Sequence, residues 1–186
     1  MFQLIIYCLL PLLTFGAINW EDCGQADRSL VLRKFNVKGD KVFVDGNNSI
    51  EAEVDFSLLD PLDEEVTMSS EFRRYFSILG VEASVKIPCR SDVGSCSGSF
   101  CYFVDSYKNL ANTFAAQLKV PPSCKMQVGR YMGNVSYPIP LKDIGHVMSA
   151  ALQYAASGKY GLVMRWYYRD AEIGCVSIMA DVEFKL

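Results

Sequence analysis

The chain has a single histidine, His146, so the residue type that most often binds metal or moves protons near neutral pH is nearly absent. None of its cysteines forms a C-x-x-C pair, and none has a histidine at ligand spacing, which argues against a zinc knot. An excess of basic residues is lacking too. Lys and Arg number 18 against 21 Asp and Glu, for a formal net charge of −3, which argues against nucleic acid as a partner. Beyond residue 17, no apolar run approaches the ~20 residues needed to span a bilayer. Internal repeats, low-complexity tracts and linkers are also missing, so the chain reads as one domain with a sizeable core.

The chain begins with an uncharged apolar stretch over residues 1–17 that ends in small residues. It reads as a secretory signal peptide, and Asn19-Trp20-Glu21-Asp22 stops it short of a membrane anchor. The mature domain is then 18–186. Removing Cys8 from the seven cysteines leaves six, an even number for an oxidising compartment. Up to three disulfides follow, and spacing alone leaves 15 connectivities open. Asn47 and Asn134 each open a glycosylation sequon.

Periodicity points to strands. Ile50, Ala52, Val54, Phe56 and Leu58 alternate with polar residues after the turn signal Asp45-Gly46-Asn47-Asn48. Val66, Met68, Ser70 and Phe72 alternate less cleanly, with Asp63-Glu64-Glu65 and Arg73-Arg74 read as solvated strand edges. Ala83, Val85 and Ile87 form another strand. Leu162, Met164 and Trp166 run up one arm of a C-terminal hairpin, and Val176, Ile178, Ala180, Val182 and Phe184 run down the other. Between these, Phe103, Tyr107, Leu110, Phe114 and Leu118 recur at helical spacing over 101–119, and Pro121-Pro122 ends the pattern. Residues 144–156 have weaker helical character. Short antiparallel strands with turn chemistry between them predict an all-β, immunoglobulin-like two-sheet sandwich with one or two helical loops.

Three cysteines gather between Cys89 and Cys101. Gly94-Ser95-Cys96-Ser97-Gly98 has nucleophile-elbow spacing, and Cys96, Asp143 and His146 follow the chain order of an α/β-hydrolase triad. An elbow, however, needs a strand running directly into the turn. Here Pro88 closes the strand and seven residues intervene before Cys96, and the chain lacks the βα alternation of a parallel sheet. A disulfide staple is the preferred reading. A secreted thiol hydrolase using Cys96, His146 and Asp143 stays as the alternative, together with a secreted recognition protein whose sandwich is fully packed.

Trp20-Glu21-Asp22-Cys23, Gly46-Asn47-Asn48-Ser49, Lys86-Ile87-Pro88-Cys89 with Gly94-Ser95-Cys96, and Gly174-Cys175-Val176-Ser177-Ile178 occur in an order and spacing that resemble the ML (lipid-recognition) family, most of all its ganglioside-activator branch. The resemblance covers nearly the whole mature chain. It implies a β-cup with an apolar lipid cavity, and the pairings Cys23–Cys175, Cys89–Cys96 and Cys101–Cys124. It also implies a non-enzymatic lipid-binding or transfer protein of the secreted or lysosomal lumen. Such a protein meets membranes transiently, takes glycosphingolipid or phospholipid, needs no cofactor, and can present lipid to a lysosomal glycosidase. The chain departs from that branch in the 101–124 loop, which lacks a further cysteine pair, and at Ala83-Ser84 and Tyr154, where the branch carries Trp.

On this reading Val54, Phe56, Val85, Ile87, Leu162, Met164, Trp166, Val176 and Ile178 face the cup. Phe100, Phe103, Tyr107, Phe114, Leu152 and Tyr154 supply its entrance. The same strand positions would equally fill a packed core, since core and cavity wall share one pattern. The loop aromatics favour lipid, because loops are seldom this apolar.

Overall fold

Apolar side chains at every second position give a strand one dry face, and the fold stacks two such faces. The structure is a computed structural model that describes residues 18–44, 48–138 and 157–184. In chain order it contains β1 (Asn19–Asp22), β2 (Leu30–Val37), β3 (Val42–Val44), β4 (Ser49–Leu58), β5 (Val66–Ile78), β6 (Val81–Lys86), β7 (Ser97–Ser99), α1 (Phe100–Ser106), α2 (Lys108–Leu118), β8 (Gly129–Pro138), β9 (Gly158–Tyr168) and β10 (Ala171–Phe184). The larger sheet runs β1-β10-β9-β5-β6, with β3 beside β10 and β7 beside β5; the smaller runs β2-β4-β8. Pairing is antiparallel apart from β3 on β10. This is the expected two-sheet sandwich.

β4 shows why the alternation works. Ala52, Val54 and Leu58 are buried, while Glu51, Glu53 and Asp55 point outward to Lys38, Lys34 and Arg130. Two apolar clusters result. Ala52, Val54 and Val135 pack with Phe56, Phe114 and Leu118. Leu58, Leu62 and Val66 pack with Phe56, Phe100, Trp166 and Tyr168, tying both sheets together.

Several expected boundaries shift. β5 runs through Arg73 and Arg74 to Ile78, so these arginines lie within the strand and not at its solvated edge. The strand pairs continuously with β9 and then β6, which gives its backbone partners along its whole length. β6 ends at Lys86, before Ile87, because Pro88 cannot donate to a ladder. The single helix expected over 101–119 divides at Tyr107, whose φ of −104° and ψ of 39° leave helical geometry. α2 ends on Lys119 in the left-handed region, just before Pro121. Two hairpin turns, Leu79-Gly80 and Arg169-Asp170, have positive φ at both residues, the twist that matches paired strands. The signal peptide at 1–17, the turn residues 45–47 and the helical stretch at 144–156 lie outside the described residues.

The sandwich exterior is laced with ion pairs that set its acid stability. The carboxyls of Asp55, Glu64, Glu65 and Glu71 are held below their ordinary range, first by hydrogen bonds from Arg130, Lys125, Arg169 and Arg73 respectively. A carboxylate with a lowered folded pKa contributes stability that is present above its unfolded value and lost as pH falls through the folded one. Thermal unfolding should therefore be flat from neutrality to mild acid and fall below about pH 4, the ordinary carboxylate range. Asp55 should contribute most, its side chain being 13% exposed against 53% for Glu65. Melting curves from pH 7 to pH 2 check this. Asp55→Asn should flatten the acid limb, and an unchanged limb would count against the assignment.

Candidate functional site

The inner face of the larger sheet is built in rungs. Across β5 and β9, Val66 lies opposite Tyr168, Met68 opposite Trp166, Ser70 opposite Met164, Phe72 opposite Leu162 and Arg74 opposite Tyr160. The first rungs close onto the cluster around Leu58 and Val66. Above them the helices stand off the sheet and leave a cavity of about 410 Å³. Met68, Ser70 and Phe72 from β5, and Leu162 and Met164 from β9, form its floor. Phe100, Phe103 and Val104 from α1, Tyr107, and Leu110 and Ala111 from α2 form its roof, with Asp92, Val93 and Gly94 at the side.

The polar atoms along this wall are already partnered. The Ser70 hydroxyl donates to the Gly94 carbonyl at 2.8 Å and accepts from the Cys96 amide at 3.0 Å. The Ser95 hydroxyl accepts from the Phe72 amide at 3.0 Å. These bonds seat the loop between Cys89 and Cys96 against β5 as if it were a strand. Gly94 permits the seating: its φ is +110°, and a Cβ there would lie 2.3 Å from the Pro88 carbonyl oxygen. The roof is fastened to the same loop. Tyr102 donates to the Asp92 carboxylate at 3.0 Å and Tyr107 to the Asp92 carbonyl at 2.6 Å. Burial, then the neighbouring Asp92, pushes the Tyr107 phenol above its usual range, so it stays a donor at any physiological pH. On the other side α2 rests on β8 at Gly133, where a Cβ would sit 3.1 Å from Leu118.

Three disulfides frame the site: Cys23–Cys175, Cys89–Cys96 and Cys101–Cys124. They are the three pairs implied by the resemblance. The second removes the basis of the thiol-hydrolase alternative, because a bonded Cys96 sulfur has no thiolate to attack with. Asp143 and His146 lie outside the described residues.

The residues picked from sequence divide into groups. Phe100, Phe103, Tyr107, Leu162 and Met164 line the cavity. Val54, Phe56, Phe114 and Trp166 belong to the two packed clusters instead, because β4 faces α2 and the closed end of the sandwich. Val176 and Ile178 stand across from Met164 and Leu162 on β10, and Val176 is buried. Val85 is 52% exposed on the β6 hairpin. Ile87 is half-buried and bonds through its amide to the Phe72 carbonyl. Asn134 is exposed on β8. Leu152, Tyr154 and Asn47 lie outside the described residues. Sequence reasoning missed Met68, Phe72, Val93, Val104, Leu110 and Ala111 as cavity wall. Met68 and Phe72 carried a period-two signal, weakened by Ser70, and Leu110 a helical one.

No family model matches the chain. The chain is 22% identical over 175 residues to the ganglioside GM2 activator of Mus musculus, an alignment covering 90% of this chain and 83% of that protein. It is 21% identical over 175 residues to the ganglioside GM2 activator of Macaca fascicularis, covering 90% and 84%. Among solved structures, a Niemann-Pick type C2 protein from Japanese carpenter ant aligns with 89% of this chain and 99% of its own, at 12% identity and a TM-score of 0.39.

Beyond the cavity, β5 and β6 extend as a bare hairpin. Leu79 is fully exposed, Val81 69%, Ile78 57% and Val85 52%. The register places Phe76 opposite Ala83 and Ile78 opposite Val81, on the same face as the cavity floor. Among the described residues, this apolar end of the hairpin continues the cavity face into solvent, with the Arg74 rung lying between it and Phe72.

Proposed function

We infer that the protein is a non-enzymatic lipid carrier whose apolar chain occupies the cavity between the larger sheet and the α1–α2 roof. The observation that carries this reading is the cavity: about 410 Å³, with a wall that is apolar almost throughout. That volume falls in the ~300–1,000 Å³ range of ligand sites. Each methylene moved into it from water gains about 0.8 kcal/mol, so ten give about 8 kcal/mol before association costs. Such a gain needs volume and dryness, and no reactive group. The order of motifs shared with the ML family and the two ganglioside-activator relatives support the same reading. Three disulfides fit a secreted or lysosomal setting. The relatives are named as ganglioside activators, and with the family resemblance this favours, as a second reading, presentation of glycolipid to a hydrolase.

The hairpin would be the membrane-facing edge. Ile78, Leu79 and Val81 have no core to enter, and burial in a bilayer surface would recover their transfer free energy. Native mass spectrometry after incubation with vesicles containing both phosphatidylcholine and phosphatidylglycerol tests the carrier reading. The expected result is one or more lipids retained by the folded protein, and a protein retaining none would sink it. Ile78→Asp with Leu79→Asp should slow transfer between vesicles by about tenfold or more, since two apolar contacts are replaced by charge. Stability should hardly change, because both side chains are exposed. Transfer at the wild-type rate would remove the hairpin from the mechanism.

A further inference from the structure

Strand alternation sends Arg73 and Arg74 to opposite faces. On the outer face, Arg73 donates to Glu71 and to Ser84. Arg74 is on the inner face, one rung beyond Phe72 and Leu162, between Val85 on β6 and Tyr160 on β9. Its Nη2 donates to the Ser157 carbonyl at 3.2 Å. Its Nε is buried without a hydrogen-bond partner, and among the described residues no carboxylate pairs with it. Arg28, Arg73, Arg130, Arg165 and Arg169, by contrast, each sit against an Asp or Glu. A guanidinium that no carboxylate neutralises, anchored by one terminal N–H to a carbonyl, keeps further terminal donors that can meet an acceptor. Two residues of strand, ~7 Å, separate it from the Phe72 rung at the cavity floor.

We propose that Arg74 is the head-group residue of the site and receives the oxyanion of an amphiphile whose chain fills the cavity. The proposal rests on the carrier reading and sharpens it: the ligand class becomes an anionic lipid. The wall itself cannot select a head group, because Ser70 spends its hydroxyl on the disulfide loop and the Asp92 carboxylate accepts from Tyr102. Selection therefore falls to the first rung beyond it. A fork of N–H donors suits phosphate, sulfate or carboxylate, and discriminates against a head group whose charge is neutralised by its own ammonium.

The test offers the protein vesicles of equimolar phosphatidylglycerol and phosphatidylcholine with identical acyl chains, then weighs the retained lipid by native mass spectrometry. Wild type is expected to favour phosphatidylglycerol by about tenfold, the scale of one charge-assisted contact. Arg74→Gln should bring the ratio near unity while lipid is still retained, and Arg74→Lys should keep part of the preference. Excess inorganic phosphate should leave the wild-type ratio unchanged; if it erased the ratio, the site would belong to free anions and the assignment would fall. An unchanged ratio in Arg74→Gln overturns the proposal. So does equal retention by wild type, which decides the matter even where the variant does not fold. If neither lipid is retained by any form, the carrier reading fails as well, an outcome distinct from retention without preference.

Discussion

Ala111→Trp is expected to lower lipid retention on the order of a hundredfold. Ala111 lies in the roof of the cavity, on α2, facing the floor formed by Phe72, Leu162 and Met164. An indole there takes space from the chain of the ligand. Excluding about four methylenes at ~0.8 kcal/mol each removes ~3 kcal/mol of binding, or about two powers of ten in affinity. The fold should tolerate the change better than a packed core would. Overpacking normally costs ~1–3 kcal/mol because neighbours must move, whereas here the new atoms enter open volume. Titration with a fluorescent fatty acyl probe, alongside thermal unfolding, separates the two effects. A variant that binds the probe as wild type does would show that ligand lies elsewhere and would remove the cavity from the functional argument.

The second large effect concerns stability. Cys23 and Cys175 are 152 positions apart, and closing a loop of that length restricts the unfolded chain by about 5 kcal/mol in the loop-entropy model. Total stabilities of domains are only ~5–15 kcal/mol. Replacing both cysteines by serine should therefore lower the unfolding free energy by roughly 3–5 kcal/mol, read as an earlier urea midpoint. The native state reinforces the tie. Cys175 is buried, the Cys23 amide donates to the Cys175 carbonyl, and β1 pairs with β10 beside it. Asp22 adds a local anchor: it accepts from the Leu32 amide at 2.8 Å and pairs with Arg28. The N-terminal strand thus holds three partners at once, and the disulfide keeps them close when the rest opens. A loss below ~1 kcal/mol would mean that the unfolded chain is already compact without the bond. The Cys89–Cys96 bond, with a separation of 7, closes a much smaller loop; its structural role is to shape the side wall of the cavity.

Much of the architecture was legible in residue order alone. The alternation in 50–58 predicts β4 and its buried side, because period two can place only one set of side chains against a core. The C-terminal hairpin, the stop at Pro121 and the two-sheet class follow from the same kind of reasoning. The division of the apolar positions was not legible. Phe114 and Leu110 lie on one helix at consecutive turns, yet Phe114 packs against the smaller sheet and Leu110 lines the cavity. Hydrophobicity tells that a side chain leaves water, and it does not tell whether another side chain meets it there.

Residue order is enough to predict a β-sandwich, six cysteines available for pairing outside the leader-like stretch, and a Cys96 that no strand feeds as an elbow requires. These depend on local periodicity and turn chemistry, which are properties of neighbours along the chain. Where the two sheets close and where they stay apart, that Arg74 faces inward while Arg73 faces out, and that β5 and β6 leave an apolar edge bare become visible in three dimensions alone. Those outcomes depend on register and on how far the α1–α2 roof stands from the larger sheet. Both are set by contacts between residues remote in sequence, where Gly133, Gly94 and the Tyr107–Asp92 bond fix distances that no local pattern records.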